Sequence, residues 1–392
     1  MGGVTAGPAR AYLDHAATTP MAPEAVEAML PFLRGEFGNP SGGHLESRRA
    51  RRAVDGARGR MAELLGADLG DVVFTAGGTE ADNLAVVGGW EARAVPGGPP
   101  PALVCSAMEH HAVLTTCRAL ARRTGAAVRE VPTDKDGIID LDALSEACTA
   151  DVGLVSVMAV NNEIGTVQPM ETVTSIVRRR SPGALLHTDA VQAAPWLELA
   201  PLTALADLVS LSAHKFGGPK GVGALVVGHG ADVRPVVHGG GQERERRSGT
   251  HNVPGIVAMA AALAVSVARR PGTVEAVAAR RDRLGDGLAA SVPGAVETGD
   301  RQRRVAGSLH LRFAGVESEA LVVLLDERGV AVSAGSACSS GAVEVSHVLT
   351  SMGLGPADAA SGIRFSLGST TTDEEIDLAL SVVPAAVGQL RD

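Results

Sequence analysis

The chain has 392 residues, more than one hydrophobic core usually supports, so we expect two domains that share an interface. Its 45% hydrophobic and 20% charged residues are typical of a globular protein, and a formal charge of −9 argues against direct nucleic-acid binding. Four cysteines without a C-x-x-C pair predict neither disulfides nor a zinc ribbon and favour a reducing cytoplasm. The longest apolar run, from Gly255, is too short and alanine-rich to predict a membrane span.

Short apolar runs separated by helical patterns fill the first part of the chain. We predict strands from these runs at 71–75, 102–106, 152–160, 184–190, 207–212 and 223–227. Strands that alternate with helices in this way indicate an α/β fold with a mostly parallel sheet and helices on both faces.

The pattern changes after an alanine-rich helix that we predict near 255–268. The later elements are the strand SLHLRF, the helix ESEALVVLLDERG, a Gly/Ser loop around Cys338, the strand IRFSLG and a helix opened by the capping-box sequence TTDEE. We therefore predict a large domain over 16–255 and a smaller α/β domain formed by 1–15 and 256–392, which carries the Cys338 loop.

Two predicted strands end in residues suited to a phosphorylated ring. AGGTEADN follows the strand at 71–75 and opens a helix, so Gly78 and Thr79 could bind a phosphate, although this stretch alone favours a plain strand-to-helix turn capped by Thr79. HTDAVQ places Asp189 and Gln192 at the carboxyl end of a strand, where α/β sheets bind ligands. Asp189 is suited to a protonated ring nitrogen or, alternatively, to capping a helix.

LSAHKFGGPKG places Lys215 among small residues directly after a buried strand. Burial disfavours the charged form of an amine, so we expect a lowered pKa and a neutral Lys215 that can attack an aldehyde. EHHAVL places His110 and His111 after the strand at 102–106, and no further Cys or His stands at ligand spacing. We therefore predict no metal site, and an acid–base or stacking role for one of these rings.

Two loops carry further candidates. Small and polar residues surround Cys338 in SAGSACSSG, so this thiol is either an accessible nucleophile or incidental. GGGQERERRSGTHN is either a solvated charged loop or one that brings Thr250 to a phosphate, including a phosphate held by a neighbouring subunit.

A lysine, an acid for a ring nitrogen, a phosphate-binding helix end and a histidine are the protein groups that pyridoxal 5′-phosphate requires. In these residues the sequence resembles the NifS/IscS-like cysteine desulfurases, within the class V aminotransferase branch of the fold-type I enzymes. The matching blocks are YLDHAATTP, FGNPSGGH, FTAGGTEADNLA, EHHAVL, VNNEIGTVQP, HTDAVQAA, LSAHKFGGPKGVGAL, GGGQERERRSGTHNVPGI, GSACSSG and IRFSLGSTTTDEEID. The resemblance implies a seven-stranded, mostly parallel sheet in the large domain.

The resemblance also implies how the cofactor is held. Lys215 binds its aldehyde, Asp189 keeps the pyridine nitrogen protonated and Gln192 bonds the ring hydroxyl oxygen. His110 stacks on the ring and moves protons. The residues implied to bind the phosphate are Gly78, Thr79, Ser212, His214 and, from the other subunit of a homodimer, Thr250.

The implied substrate is L-cysteine, oriented by Asn162 and by Arg364, which grips the carboxylate. Lys215 takes the Cα proton, and Cys338 attacks the substrate sulfur to leave a persulfide and release L-alanine. The persulfide sulfur passes to an acceptor protein that the sequence does not identify, in pathways such as iron–sulfur cluster biogenesis.

Two positions depart from the family pattern. His251 stands where the RSGT motif usually continues with Glu, which bears on the dimer interface, and Val345 replaces a proline after the Cys338 loop. The alternatives are a selenocysteine lyase or another class V aminotransferase on this scaffold, and a scaffold protein that has lost catalysis. The second is disfavoured because both Lys215 and Cys338 are present.

Overall fold

The computed structural model describes residues 10–228, 230–334 and 345–392. The strands are β1 (Ala11–Tyr12), β2 (Val72–Thr75), β3 (Ala102–Ser106), β4 (Val128–Val131), β5 (Val152–Ser156), β6 (Leu185–Asp189), β7 (Leu208–Ser212), β8 (Gly223–Val227), β9 (Ala295–Glu297), β10 (Ser308–Phe313), β11 (Val330–Ala331) and β12 (Gly362–Ser366). The helices are α1 (Pro23–Arg34), α2 (Leu45–Leu65), α3 (Gly78–Asn83), α4 (Gly89–Arg93), α5 (His111–Thr124), α6 (Leu141–Ala147), α7 (Met170–Arg180), α8 (Leu199–Leu205), α9 (Val253–Ser291), α10 (Ser318–Glu327), α11 (His347–Ser351), α12 (Pro356–Ala359) and α13 (Asp373–Arg391). One π-helical turn, Leu84–Gly88, joins α3 to α4.

Seven strands form the central sheet in the order β2-β8-β7-β6-β5-β3-β4. Only β8 runs against its neighbours, β2 on one side and β7 on the other. The predicted mostly parallel sheet of seven strands is therefore confirmed. Strand β4 was not predicted from the sequence, and β5 was predicted to extend to residue 160, although the chain leaves the sheet after Ser156.

Helices cover both faces of this sheet, as the continuous apolar runs of its strands require. Neighbouring residues of one strand belong to different hydrophobic clusters: Leu186 packs on one face of the sheet and Leu185 on the other. With few aromatic residues, both clusters consist mainly of alanine, valine and leucine side chains.

A second, antiparallel sheet has the order β12-β10-β9. Its core contains Phe313 and Phe365 together with Ala11 and Leu13 from the start of the described chain. The predicted capping box is present, since the Thr372 side chain and Glu375 bond each other's backbone at the start of α13. The proposed division between residues 255 and 256 stays a prediction, and α9 runs continuously through it.

Helix α9 is much longer than the helix predicted near 255–268. By length and composition it could cross a membrane, but half of its most apolar window is buried inside the protein. It packs against α1 and α2, and its residues contribute first to the core beside the large sheet and then to the core of the small sheet. We therefore interpret α9 as a core helix.

The parallel strands β3, β5, β6 and β7 end at the same edge of the central sheet. Asp189 is the last residue of β6, and the segments after β3, β5 and β7 carry three further candidates: His110, Asn162 and Lys215. Because parallel strands bring their carboxyl ends together, residues far apart in sequence meet at this edge.

Candidate active site

A cavity of about 460 Å³ lies at the carboxyl edge of the central sheet. All predicted site residues except Thr250 and Cys338 line it. Those that line it are Gly78, Thr79, His110, Asn162, Asp189, Gln192, Ser212, His214, Lys215 and Arg364. Thr250 is exposed elsewhere on this chain, and Cys338 lies outside the described residues.

Lys215 ends a short turn that comes directly after β7. Its Nζ donates hydrogen bonds to the carbonyl oxygens of Ala16, at 2.6 Å, and Ala17, at 2.9 Å. Burial, supported by the charge of Arg364, lowers the pKa of Lys215 to about 8. A substantial fraction of this amine is therefore neutral near physiological pH, as a nucleophile requires.

Asp189 is the last residue of β6, and its side chain is buried beside Lys215. Its Oδ1 accepts a hydrogen bond from the Val191 N–H at 2.8 Å, which leaves Oδ2 for a ligand in the cavity. Burial raises the pKa of Asp189 to about 6, opposed by the Val191 N–H and the charge of Lys215. A cation that enters the cavity would stabilise the ionised form further.

Gln192 is placed by the same backbone segment that holds Lys215. Its Nε2 donates to the Ala16 carbonyl at 2.8 Å, so one oxygen accepts bonds from both side chains. The residues before α1 thus fix the relative position of a lysine and a glutamine that come from different strands.

His110 caps α5: its Nδ1 accepts a hydrogen bond from the Ala112 N–H at 3.1 Å. In the neutral ring this bond places the proton on Nε2. The ring is accessible from the cavity, but the surrounding protein and the charge of Lys215 lower the pKa of His110 to about 4. His110 is therefore neutral at physiological pH and can stack on a flat ligand.

The turn between β2 and α3 has the geometry of a phosphate site. Gly77 has φ of 157°, which favours glycine, and the next residues expose the unpaired N–H groups of a first helical turn. A β-carbon on Gly78 would lie only 3.0 Å from Val191 Cγ2 and 3.2 Å from Ser212 Cβ. Glycine thus lets this turn lie against the end of β7, and the residues fit a phosphate.

His214 completes this side of the cavity. Its Nδ1 lies 3.2 Å from the Thr18 hydroxyl, and burial lowers the pKa of His214 to about 4. A phosphate here would meet neutral donors and backbone N–H groups rather than a charged imidazole.

Arg364 reaches the cavity from β12 of the small sheet. Its guanidinium donates to Asp14 Oδ1 at 2.8 Å and to the Asn162 carbonyl at 2.9 Å. Its Nε is buried and has no hydrogen-bond partner within the described part of the chain. A guanidinium that lines a cavity suits a carboxylate ligand.

Described residues on either side of the segment that contains Cys338 line this cavity. Ser333, before the segment, and His347, after it, both line the cavity wall. Ser346 Oγ donates to the buried Glu163 at 2.5 Å, and His347 Nε2 donates to the Glu109 carbonyl at 2.8 Å. The prediction that Val345 affects the Cys338 loop is not tested by these contacts.

A buried polar cluster lies beneath Asp189, and it was not predicted from the sequence. His187 bonds Ser156 Oγ at 2.8 Å through Nδ1 and Ser210 Oγ at 2.9 Å through Nε2. The Asp82 carboxyl lies 3.6 Å from His187, and burial raises the pKa of Asp82 well above its ordinary value. The sequence did contain one sign of this cluster. In the strand segment HTD, His187 and Asp189 are two residues apart, and such residues point to the same face of a sheet.

Within residues 10–228, 230–334 and 345–392, no group of three or more His, Cys, Asp or Glu side chains is arranged to hold a metal ion. The cavity itself presents the amine of Lys215, the carboxyl group of Asp189, the guanidinium of Arg364 and neutral hydrogen-bond donors.

Comparison with known proteins identifies the family. The family described as aminotransferase class-V matches residues 11–379, so this chain is a member of the class V aminotransferases. It is 45% identical to a cysteine desulfurase of Cereibacter sphaeroides, with 97% of each chain covered. It is 43% identical to an IscS-like cysteine desulfurase of Mycobacterium tuberculosis, again over 97% of each.

Solved structures agree with this placement. A NifS-like protein that is 34% identical superposes with a TM-score of 0.89, covering 97% of this chain and 100% of the other. A structure described as SspA in complex with cysteine is 32% identical, with a TM-score of 0.79 over 92% of this chain and 100% of the other. Within its family, the chain belongs with the NifS/IscS-like cysteine desulfurases, as its motifs predicted.

Proposed function

We propose that this chain is a pyridoxal 5′-phosphate-dependent cysteine desulfurase that converts L-cysteine to L-alanine and leaves the sulfur on Cys338 as a persulfide. One observation carries the proposal. A single cavity joins the low-pKa amine of Lys215, the carboxyl group of Asp189 and the guanidinium of Arg364, and residues on either side of the Cys338 segment line its wall.

The cavity residues suit each part of the cofactor. Gly78, Thr79, Ser212 and His214 would hold the phosphate, and Asp189 would keep the ring nitrogen protonated, while Gln192 would bond the ring hydroxyl. When bound, pyridoxal phosphate supplies an aldehyde for amines and a ring that withdraws electrons from the adjacent carbon.

The protein then supplies the base and the nucleophile. Arg364 and Asn162 would orient the cysteine carboxylate, and neutral Lys215 would accept the Cα proton. The Cys338 thiolate would form a bond to the substrate sulfur as the carbon–sulfur bond breaks, and the electron pair of that bond would stay with the carbon. Two protons then complete the methyl group of alanine and its Cα–H bond. His110, neutral and beside the cavity, is the residue that we propose to move protons at the ring.

Cys338 can reach this site by chain length alone. Cys338 follows Ser333 by five residues in the sequence, and five residues of fully extended chain span about 18 Å. Because Ser333 lines the cavity, a chain of this length permits contact between the thiol and a bound substrate.

We propose a homodimer in which Thr250 reaches the phosphate held by the partner subunit. Thr250 is exposed on this chain and lies away from its own cavity, so a second subunit offers it a role. We also propose a cytoplasmic location and an acceptor protein for the persulfide sulfur, because a persulfide must be passed on for turnover to continue.

The test is product formation by variants of the cofactor-loaded protein. Cys338→Ala is expected to abolish persulfide transfer and sulfide release from L-cysteine, with cofactor absorbance unchanged. Cys148→Ala removes a buried thiol outside the cavity and serves as the matched control, with turnover retained. Sulfide release that survives Cys338→Ala would favour a lyase or aminotransferase mechanism, and failure to bind the cofactor would favour a scaffold protein.

A further inference from the structure

The loop of residues 242–250, which we call the Thr250 loop, is bound to the phosphate turn of its own chain. Its residue Glu243 is buried, and Glu243 Oε2 accepts a hydrogen bond from the Phe74 N–H at 3.0 Å. Phe74 belongs to β2, which leads directly into Gly78 and Thr79. A carboxylate of the loop thus holds the strand that positions the phosphate turn.

The side chains of Arg58 and His251 hold the Glu243 carboxylate. Arg58 from α2 bonds both Glu243 oxygens at 2.7 Å, in the bidentate arrangement that gives strong ion pairs. His251, the residue after Thr250, bonds Glu243 Oε1 through Nε2 at 2.6 Å. Although burial opposes ionisation, the bonds from His251 and Arg58 lower the pKa of Glu243 to about 2, so it is charged at physiological pH.

A second ion pair joins the same two segments. Arg247 of the Thr250 loop contacts Glu80 of α3, with nitrogen–oxygen distances of 2.6 Å and 3.2 Å. Glu80 Oε2 in turn accepts the Ala76 N–H at 3.1 Å, inside the phosphate turn. The loop therefore contacts this turn on both sides of Gly78.

The backbone of the Thr250 loop is strained at Glu243 and the two residues that follow it. Glu243, Arg244 and Glu245 have φ of 51°, 57° and 66°, the left-handed region that residues other than glycine rarely adopt. Three such residues in succession persist only where surrounding contacts fix them, and such strain is concentrated at functional sites. The ion pairs of Glu243 provide those contacts.

From these contacts we infer that Glu243 is a positioning residue that fixes two phosphate contacts at once. Through Phe74 it sets the Gly78–Thr79 turn of its own chain, and through His251 it sets Thr250, which is offered to the partner subunit. The inference rests on the proposed function and on the homodimer. It also gives His251, one of the two departures from the family pattern, a role as the link between Glu243 and Thr250.

The first experiment measures cofactor affinity of the apo-dimer by absorbance titration with pyridoxal phosphate. Losing a buried charge-assisted bond weakens binding by about ten- to a hundredfold, which is the expected effect of Glu243→Gln. Glu245→Gln is the matched control, because Glu245 is exposed in the same left-handed turn, and its affinity should stay within about twofold of wild type. The turnover rate of Glu243→Gln at saturating cofactor should change far less than the affinity.

Dimers of mixed subunits separate the two contacts. One subunit carries Lys215→Ala, so that only the site of the other subunit gives the absorbance of cofactor linked to Lys215. Glu243→Gln is then placed either on the Lys215→Ala subunit or on the subunit that keeps Lys215. We expect weaker cofactor binding in both arrangements. When Glu243→Gln is on the subunit that keeps Lys215, it alters the phosphate turn of the remaining site. When it is on the Lys215→Ala subunit, it alters the Thr250 that this subunit offers to the remaining site. Weakening in only one arrangement, or in neither, overturns the inference.

His251→Ala tests the same link if Glu243→Gln does not fold, and should weaken binding only where Thr250 of the altered chain serves the remaining site. Thermal unfolding and size-exclusion chromatography confirm that each variant is a folded dimer. A wild-type chain that fails to bind pyridoxal phosphate contradicts the proposed function itself. A wild-type chain that binds it, with Glu243→Gln binding equally well, contradicts only the role of Glu243.

Discussion

The pKa of Lys215 in the apo-protein is the property on which the chemistry of the cavity depends most. A shift from 10.5 to about 8 disfavours the ammonium form by about 3 kcal/mol, since each pKa unit corresponds to 1.36 kcal/mol. At pH 7.5 roughly a quarter of the Lys215 amines would then be neutral, against about one in a thousand for an unperturbed lysine. The cavity thereby increases the reactive fraction about 200-fold.

Reductive methylation with formaldehyde across a pH series measures this directly, because only the neutral amine reacts. Mass spectrometry reports the methylation rate of each lysine separately. We expect the rate at Lys215 to reach half its maximum near pH 8. Lys135 is the internal reference, because its exposed ammonium is paired with Asp136, which raises the pKa of Lys135 above its ordinary value.

A variant tests the cause of the shift. The Asp189 carboxylate raises the pKa of Lys215 and so opposes the effect of burial. Asp189→Asn should therefore move the Lys215 midpoint to lower pH. A wild-type midpoint close to that of a free lysine, or an upward movement in Asp189→Asn, would refute the assignment of Lys215 as a buried amine with a lowered pKa.

Two further predictions concern the small sheet. Arg364→Gln removes the guanidinium that lines the cavity and should raise the KM for L-cysteine by about ten- to a hundredfold, with cofactor absorbance unchanged; an unaltered KM in steady-state assays would show that the carboxylate binds elsewhere. Phe365→Ala empties a fully buried position of the small core and should lower the free energy of unfolding by about 3–5 kcal/mol in urea titrations, and a loss below about 1 kcal/mol would contradict that packing.

The strands of the central sheet were predictable because they are buried on both faces and therefore appear as unbroken apolar runs. The runs at 102–106 and 223–227 coincide with β3 and β8. The edge strand β4 escaped prediction because VREV is short, carries two charges and is only partly buried. Helix α9 exceeded its predicted length because packing in both cores extends it past the alanine-rich stretch, through Pro271.

The cavity residues were predictable for a different reason. Most of them end a strand, follow one directly or open a helix within a recognisable motif, and the topology of a parallel sheet brings those positions together. Arg364 lies within β12 of the antiparallel sheet, so the topology of the central sheet does not account for its place in the cavity. The contacts that support them were not predictable, because a charged run such as QERER gives no sign that one glutamate is buried. Only the fold shows that Glu243 meets Arg58 and Phe74, which lie 185 and 169 residues away in the sequence.

The central claim is that Cys338 receives the sulfur. Cofactor-loaded protein is mixed with L-cysteine, its thiols are trapped by alkylation, and its peptides are examined by mass spectrometry for one additional sulfur atom. We expect that sulfur on Cys338, with none on the three buried thiols of Cys105, Cys117 and Cys148. Alanine formation with unmodified Cys338, or with the additional sulfur on a buried thiol, would contradict the proposed mechanism.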